Sequence, residues 1–222
     1  MTIFDILGPV MVGPSSSHTA GAVRIGLLAR RLLGGDPIGA ELILHGSFAA
    51  TGRGHGTDRA LIAGLLGMAP DDPRIPQSFA LANDAGLSFH FQNGVLKDAH
   101  PNSVRIKAMR ADGGRIDLTA ASLGGGRVRV MALDGMPAGF SGEKHTLIIR
   151  HRDQVGQVAI ATRILSGDRV NIASMQLYRS ARGGEAIMII ESDEAIASST
   201  LRAIRGTEGV LQVTYLNAGG EE

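Results

Sequence analysis

HTLIIRHRDQVGQVAIATRILS (residues 145–166) changes its hydrophobic period partway along. HTLIIR is a short apolar run of strand type, and QVGQVAIATRILS returns its apolar positions at helical spacing. The pattern continues as strand RVNIASMQLYR, strand EAIMIIE, helix EAIASSTLRAIRG and strand VLQVTYL. A β-α-β-β-α-β order within about 75 residues is the split-βαβ, ferredoxin-like arrangement. Upstream, DGMPAGFSGEK carries Gly, Pro and Ser with few apolar anchors and reads as a linker, which puts a domain boundary near residue 142.

The region before that boundary mixes both periods. Thr19 to Leu33 places Ile25, Leu28 and Leu32 on one helical face and stops at Gly34-Gly35. AELILHGS reads as a buried strand, Thr57 to Met68 as a second helix, and the intervening ATGRGHG as a polar, glycine-rich connection. A short helix over residues 77–85 leads into strand LSFHFQNG, and residues 103–135 alternate around two glycine turns as a β-meander. The expected class is α+β, with domains at 1–142 and 143–222.

The chain has 222 residues, a formal net charge of +1, 44% hydrophobic residues, 31 glycines and no tryptophan, which suits a turn-rich α/β composition rather than a disordered one. Basic residues are scattered, so no nucleic-acid or anionic-membrane footprint appears. Apolar runs fall short of the ~18 residues a membrane span needs, Arg24, Arg30 and Arg31 breaking the best candidate. MTIFDILGPV lacks the basic n-region of a secretory signal, so a cytoplasmic location is expected. Cysteine is absent, which removes disulfides, thiolate zinc sites and cysteine nucleophiles; an iron–sulfur cluster needs thiolates from another chain.

Three stretches can carry chemistry. In VGPSSSHTAG (12–21), Ser17 or Thr19 can cap the following helix, yet capping needs one hydroxyl. Ser15, Ser16, Ser17, His18 and Thr19 together also suit a carboxylate or phosphate at a helix N-terminus. In TGRGHGTD (51–58), Gly52, Gly54 and Gly56 permit close backbone approach, and His55 sits near a carboxylate, Asp58, able to fix its tautomer; Thr57 or Asp58 as a helix cap is the alternative. AHPNS (99–103) presents His100 and Asn102, which ordinary turn chemistry also explains. A metal site of His18, His55 and His100 is conceivable, although the spacing matches no compact motif. His45, His90, His145 and His151 read as structural.

GPSSSHTAG with TGRGHGTD and HPN resembles the β subunit of the bacterial iron–sulfur-dependent L-serine dehydratases, also called L-serine ammonia-lyases. The resemblance covers nearly the whole chain. It implies an N-terminal allosteric-substrate-binding-type domain and a C-terminal ACT domain. It also implies a partner α subunit whose cysteines hold a [4Fe-4S] cluster and which brings most of the substrate pocket, with the cluster acting as a Lewis acid on serine while a base takes the Cα proton. His18 and His55 are then the catalytic candidates. Ser15, Ser16, Ser17 and Thr19 become the carboxylate cradle, and Thr57, Asp58, His100 and Asn102 a second wall; no metal ligand is assigned to this chain.

ACT resemblance points to an amino-acid effector at Arg152, Asp153, Gln154, Val155 and Gly156, with Asn171 and Ile172 opposite, in a homodimer. Val155 replaces the proline usual in that loop. The rival to an enzyme subunit is a non-catalytic amino-acid-sensing or oligomerisation module acting on another enzyme.

Overall fold

The computed structural model describes residues 10–52 and 54–218. The N-terminal stretch read for a signal, residues 1–9, lies outside the described residues. The chain folds as two compact units, Met1–Gly135 and Met136–Glu222.

In the first unit a π-helical turn, Ser16–Ala20, runs directly into α1 (Gly21–Leu33). Helix α1 stops where Gly34 takes a left-handed φ of 77° and gives its N–H to the carbonyls of Arg30 and Arg31. Then come β1 (Gly39–Leu44), α2 (Gly46–Thr51), α3 (Thr57–Leu65), a 3₁₀ turn (Ile75–Gln77) and α4 (Ser78–Asp84). Strands β2 (Ser88–Asn93), β3 (Ser103–Met109), β4 (Arg115–Gly124) and β5 (Arg127–Leu133) complete the unit. Within it the strand order is β2-β1-β3-β4-β5. Strands β1 and β2 pair in parallel, because the helical crossover α2–α4 separates them, whereas β3, β4 and β5 form the antiparallel meander read from the alternation.

One face of this sheet is the core. Ala40, Leu42 and Leu44 of β1 and Val104, Ile106 and Ala108 of β3 are buried, as are Ile25, Leu28 and Leu32 of α1, the helical stripe expected from the sequence. The strand read as far as Ser47 ends at Leu44, and the polar connection read from Ala50 begins inside a helix: Gly46, at φ 56°, turns the chain into α2. Its lack of a side chain also admits the next contact, since a Cβ there would stand 2.5 Å from the Pro101 carbonyl oxygen.

Helices α1 and α3 touch backbone to backbone. A Cβ built on Gly64 would overlap the carbonyl oxygen of Val23 and lie 2.8 Å from the α-carbon of Gly26; one on Gly26 would overlap the carbonyl oxygen of Leu61. Contacts climb both helices in the same order, Thr19 with His55, Val23 and Gly26 with Gly64, Arg30 with Leu65. The helices therefore run parallel, and both present their N-terminal ends at one corner.

The second unit begins with β6 (Met136–Phe140), within the segment expected to be a linker. Its alternate residues Met136, Ala138 and Phe140 are buried, and the strand lies against β8 and β9. The two compact units divide after Gly135, in the Asp134-Gly135 turn. Next follow β7 (His145–Arg152), α5 (Gln157–Gly167), β8 (Ile172–Arg179), β9 (Glu185–Ser192), α6 (Ser198–Arg205) and β10 (Val210–Leu216). The sheet order β10-β7-β9-β8, fully antiparallel, is the ferredoxin-like βαββαβ fold. Leu147, Ile149, Met188 and Ile190 meet Ala161 and Leu165 of α5 and Leu201 and Ile204 of α6 in its core. The chain is thus α+β.

Gly64→Ala should cost about 1–3 kcal/mol in urea unfolding despite alanine's better helix propensity, because the obstacle is backbone and cannot rotate away. Unchanged stability would mean the helices are not in contact at this point.

Candidate active site

The corner where α1 and α3 begin is built around His18. Ser15 is extended (φ −140°) and caps the π turn, its Oγ accepting from the His18 backbone N–H at 3.2 Å. The wide turn carries the ring inward, half-buried. Its Nδ1 lies 3.1 Å from Ser17 Oγ and 3.4 Å from Ser15 Oγ. Its Nε2 lies 3.0 Å from Ser47 Oγ and 3.2 Å from Thr51 Oγ1. Phe48, fully buried, sets an edge against the ring at 5.3 Å, and the His55 ring stands 5.1 Å away.

The three motifs meet here. From the second, Thr19 Oγ1 donates to the His55 carbonyl at 3.4 Å, and exposed His55 places Nδ1 3.2 Å from the Thr51 carbonyl. That carbonyl, not Asp58, is the partner of the His55 ring. Half-buried Asp58 lies in the first turn of α3 and accepts from the Arg59 N–H at 2.8 Å. From the third motif, the Pro101 carbonyl accepts the Ser47 N–H at 2.7 Å, tying the His-Pro-Asn turn to α2. His100 Nδ1 accepts from the Asn102 N–H at 3.1 Å, and the Asn102 carbonyl accepts the Ser122 N–H, so their described bonds are those of a turn docked on the site. Ser16 gives its carbonyl to the Gly21 N–H.

Thr57 departs from expectation. It is fully buried, and its hydroxyl has neither solvent nor a hydrogen-bond partner, because the N-terminus of α3 turns it into the packing instead of the corner. The three-imidazole metal set is not formed: His100 spends Nδ1 within its own turn, and among the described residues no three His, Asp or Glu side chains gather into a metal-holding group. Conversely, the sequence does not single out Ser47, Phe48 and Thr51 as one group. The signal for them is HGS at a strand end followed by Phe-Ala-Ala-Thr, a turn of helix bracketed by glycines.

The surroundings disfavour the charged form of His18. Burial, then the neighbouring His55, lowers the His18 pKa below its ordinary 6.5, against a backbone hydrogen bond at Ser47 that raises it. The imidazole is therefore uncharged at neutral pH and able to accept a proton, amid hydroxyls and the positive ends of two helices.

The effector residues inferred for the second unit lie at two ends of one sheet. Arg152 pairs with Glu185 at one end of β9, and Ile172 with Ser192 at the other, about 23 Å along the strand. At the first end the Arg152 N–H donates to the Gly209 carbonyl. Asp153 accepts from the Gly183 N–H and from Arg179, which hold its carboxyl below the usual range. Gln154 reaches toward Gly209, Val155 is fully exposed, and Gly156 starts α5 from a left-handed φ of 94°. At the other end the Asn171 N–H donates to Glu194, and Ile172 packs on the core. One chain does not bring the two groups together.

The chain joins a paired-histidine corner lined by hydroxyls to a ferredoxin-like unit. Comparison with known proteins makes the class specific. A family model described as the serine dehydratase beta chain matches residues 2–83. The chain is 38% identical over 214 residues to the L-serine dehydratase beta chain of Peptoniphilus asaccharolyticus, covering 96% of each. It is 38% identical over 215 residues to the probable L-serine dehydratase beta chain of Bacillus subtilis (strain 168), covering 97% of each. L-serine dehydratase 2 of Escherichia coli (strain K12) is 35% identical over 153 residues, which cover 57% of this chain and 32% of that one. The chain belongs to the serine dehydratase beta chain family.

The His18 shift has a measurable consequence. An unfolded chain takes up this proton near pH 6.5, the folded chain only at lower pH, so the unfolded state binds more protons in that window. Stability should fall as pH drops through it, and His18→Asn should flatten that part of the profile in urea titrations. Identical slopes would place His18 in a solvent-like environment.

Proposed function

We propose that the chain is the β subunit of a two-chain, iron–sulfur-dependent L-serine dehydratase that converts L-serine to pyruvate and ammonia, and that it supplies the proton-handling wall of a shared active site. The observation that carries the proposal is the convergence of His18 and His55, with hydroxyls from two separate stretches, residues 15–17 and helix α2, on the N-terminal ends of α1 and α3. Need for a partner is supported by the name of the Peptoniphilus relative, a beta chain, and by the Escherichia coli relative, about two thirds of which has no counterpart here.

The [4Fe-4S] cluster that the family resemblance implies does not fit this chain as its holder. No cysteine is present to supply a thiolate, and no step is assigned to the cluster here. In this proposal the α subunit's cysteines carry it.

What this chain's residues do follows from the reaction. Serine must lose a weakly acidic Cα proton and its β-hydroxyl, which leaves as water; the 2-aminoacrylate product tautomerises to an imine, and water converts that to pyruvate and ammonia. Ser15, Ser16 and Ser17, with the N–H groups at the start of the π turn, suit the substrate carboxylate, and buried Thr19 ties this cradle to the second motif through the His55 carbonyl. His18 and His55, neighbouring imidazoles, suit proton transfer. His100 and Asn102 shape the wall by docking their turn on Ser47.

The second unit is assigned regulation by an amino-acid effector, shared between two copies because Asp153 and Asn171 lie at opposite ends of one sheet. Asn171→Ala should change serine saturation or its cooperativity while leaving maximal turnover within about threefold; superimposable saturation curves would reduce the unit to packing.

In the reconstituted two-chain enzyme, His18→Ala and His55→Ala should each lower turnover by ~10²-fold or more. Losses below about threefold in both would remove the proton-transfer role from this chain.

A further inference from the structure

Thr51 touches both imidazoles by different atoms. Its side-chain oxygen lies 3.2 Å from His18 Nε2, and its carbonyl 3.2 Å from His55 Nδ1. The two contacts impose different protonation patterns. A carbonyl only accepts, so the bond to His55 requires a proton on Nδ1, which leaves His55 Nε2 as the ring's lone-pair nitrogen. On the other side, the Thr51 hydroxyl has one proton and gives it to the Ser47 carbonyl at 2.9 Å. Its oxygen therefore offers His18 lone pairs only. With a proton on Nε2, His18 donates to that oxygen and to Ser47 Oγ at 3.0 Å. Without one, Thr51 must either face a lone pair with a lone pair at 3.2 Å or give up its shorter bond to the Ser47 carbonyl, a cost the Nε2-protonated tautomer avoids.

On the Nδ1 side of His18 nothing conflicts with this. Ser17 Oγ at 3.1 Å can donate to a bare Nδ1, while Ser15 Oγ already accepts from the His18 backbone N–H and keeps its own proton to give. We infer that Thr51 is a positioning residue that fixes the tautomers of both histidines, so that the proton acceptors the site offers are Nδ1 of His18 and Nε2 of His55. The hydroxyl does this for His18 and the backbone carbonyl for His55; the six-residue helix α2 delivers both from one residue. As to catalysis the inference rests on the dehydratase reading above, but the tautomers themselves do not.

The direct test is long-range ¹⁵N–¹H correlation of the histidine rings in the full chain at about pH 8, above the ordinary histidine range, where neutral tautomers are read directly. Assignment comes from single His→Gln variants. His18 should appear protonated at Nε2 and His55 at Nδ1. Thr51→Val, similar in shape and exposed, removes the hydroxyl and should move His18 toward the Nδ1–H form or a mixture, with His55 unchanged; Thr51→Ser should restore the Nε2–H form. In the two-chain enzyme Thr51→Val should lower kcat about tenfold or more with KM within about threefold, and Thr51→Ser should recover most of it. A wild-type His18 protonated at Nδ1, a wild-type His55 protonated at Nε2, or a Thr51→Val chain with the wild-type tautomer overturns the inference. A tautomer that shifts as expected while kcat stays put upholds it and counts against the proton-transfer reading instead.

Discussion

Everything at the candidate site depends on how closely α1 and α3 approach. Two glycines, Gly26 and Gly64, let the backbones meet where any side chain would collide with a carbonyl. Because the helices run parallel, that contact brings two N-terminal ends together, along with the loops that precede them. Those segments carry Ser15 to Thr19 on one side and Thr51 and His55 on the other. A wider crossing would separate His18 from His55 and break the Thr19 link between them.

What the corner holds is as informative as its shape. The described polar contacts of the His18 ring are all hydroxyls, from Ser15, Ser17, Ser47 and Thr51. Hydroxyls solvate the ring without imposing a charge, while burial and His55 disfavour the imidazolium. The result is a neutral base in a field biased toward anions by two helix termini, a fitting surround for an amino-acid carboxylate and the proton beside it. The second unit is chemically different: Asp153 is committed to Gly183 and Arg179, and its surroundings are those of a structured loop rather than a reaction centre.

Much of this is legible in the sequence because it rests on periodicity. The α1 stripe, the meander and the βαββαβ order follow from spacings of apolar residues, which packing enforces. The shorter pieces escape. MPAGF, with proline and glycine, looks like a linker, yet its alternate residues bury into a strand; HGS reads as the end of a strand and ATG as the start of a connection, yet Gly46–Thr51 form one six-residue helix. The serine–histidine–threonine motif announces a functional segment, but the residues completing it, Ser47 and Thr51, lie 29 and 33 positions away. Only the fold brings them in. Thr57 shows the converse, a polar residue in a promising motif that the start of a helix rotates into the core.

The central claim is that this chain completes an active site it cannot form alone. Its most direct test is anaerobic co-expression with a candidate cysteine-bearing partner chain, followed by pyruvate formation from L-serine, with each chain alone as control. The account predicts activity in the mixture and in neither chain by itself. A cysteine-bearing chain that turns over serine equally well without this one, or a stable cluster-loaded complex with no activity, would contradict it.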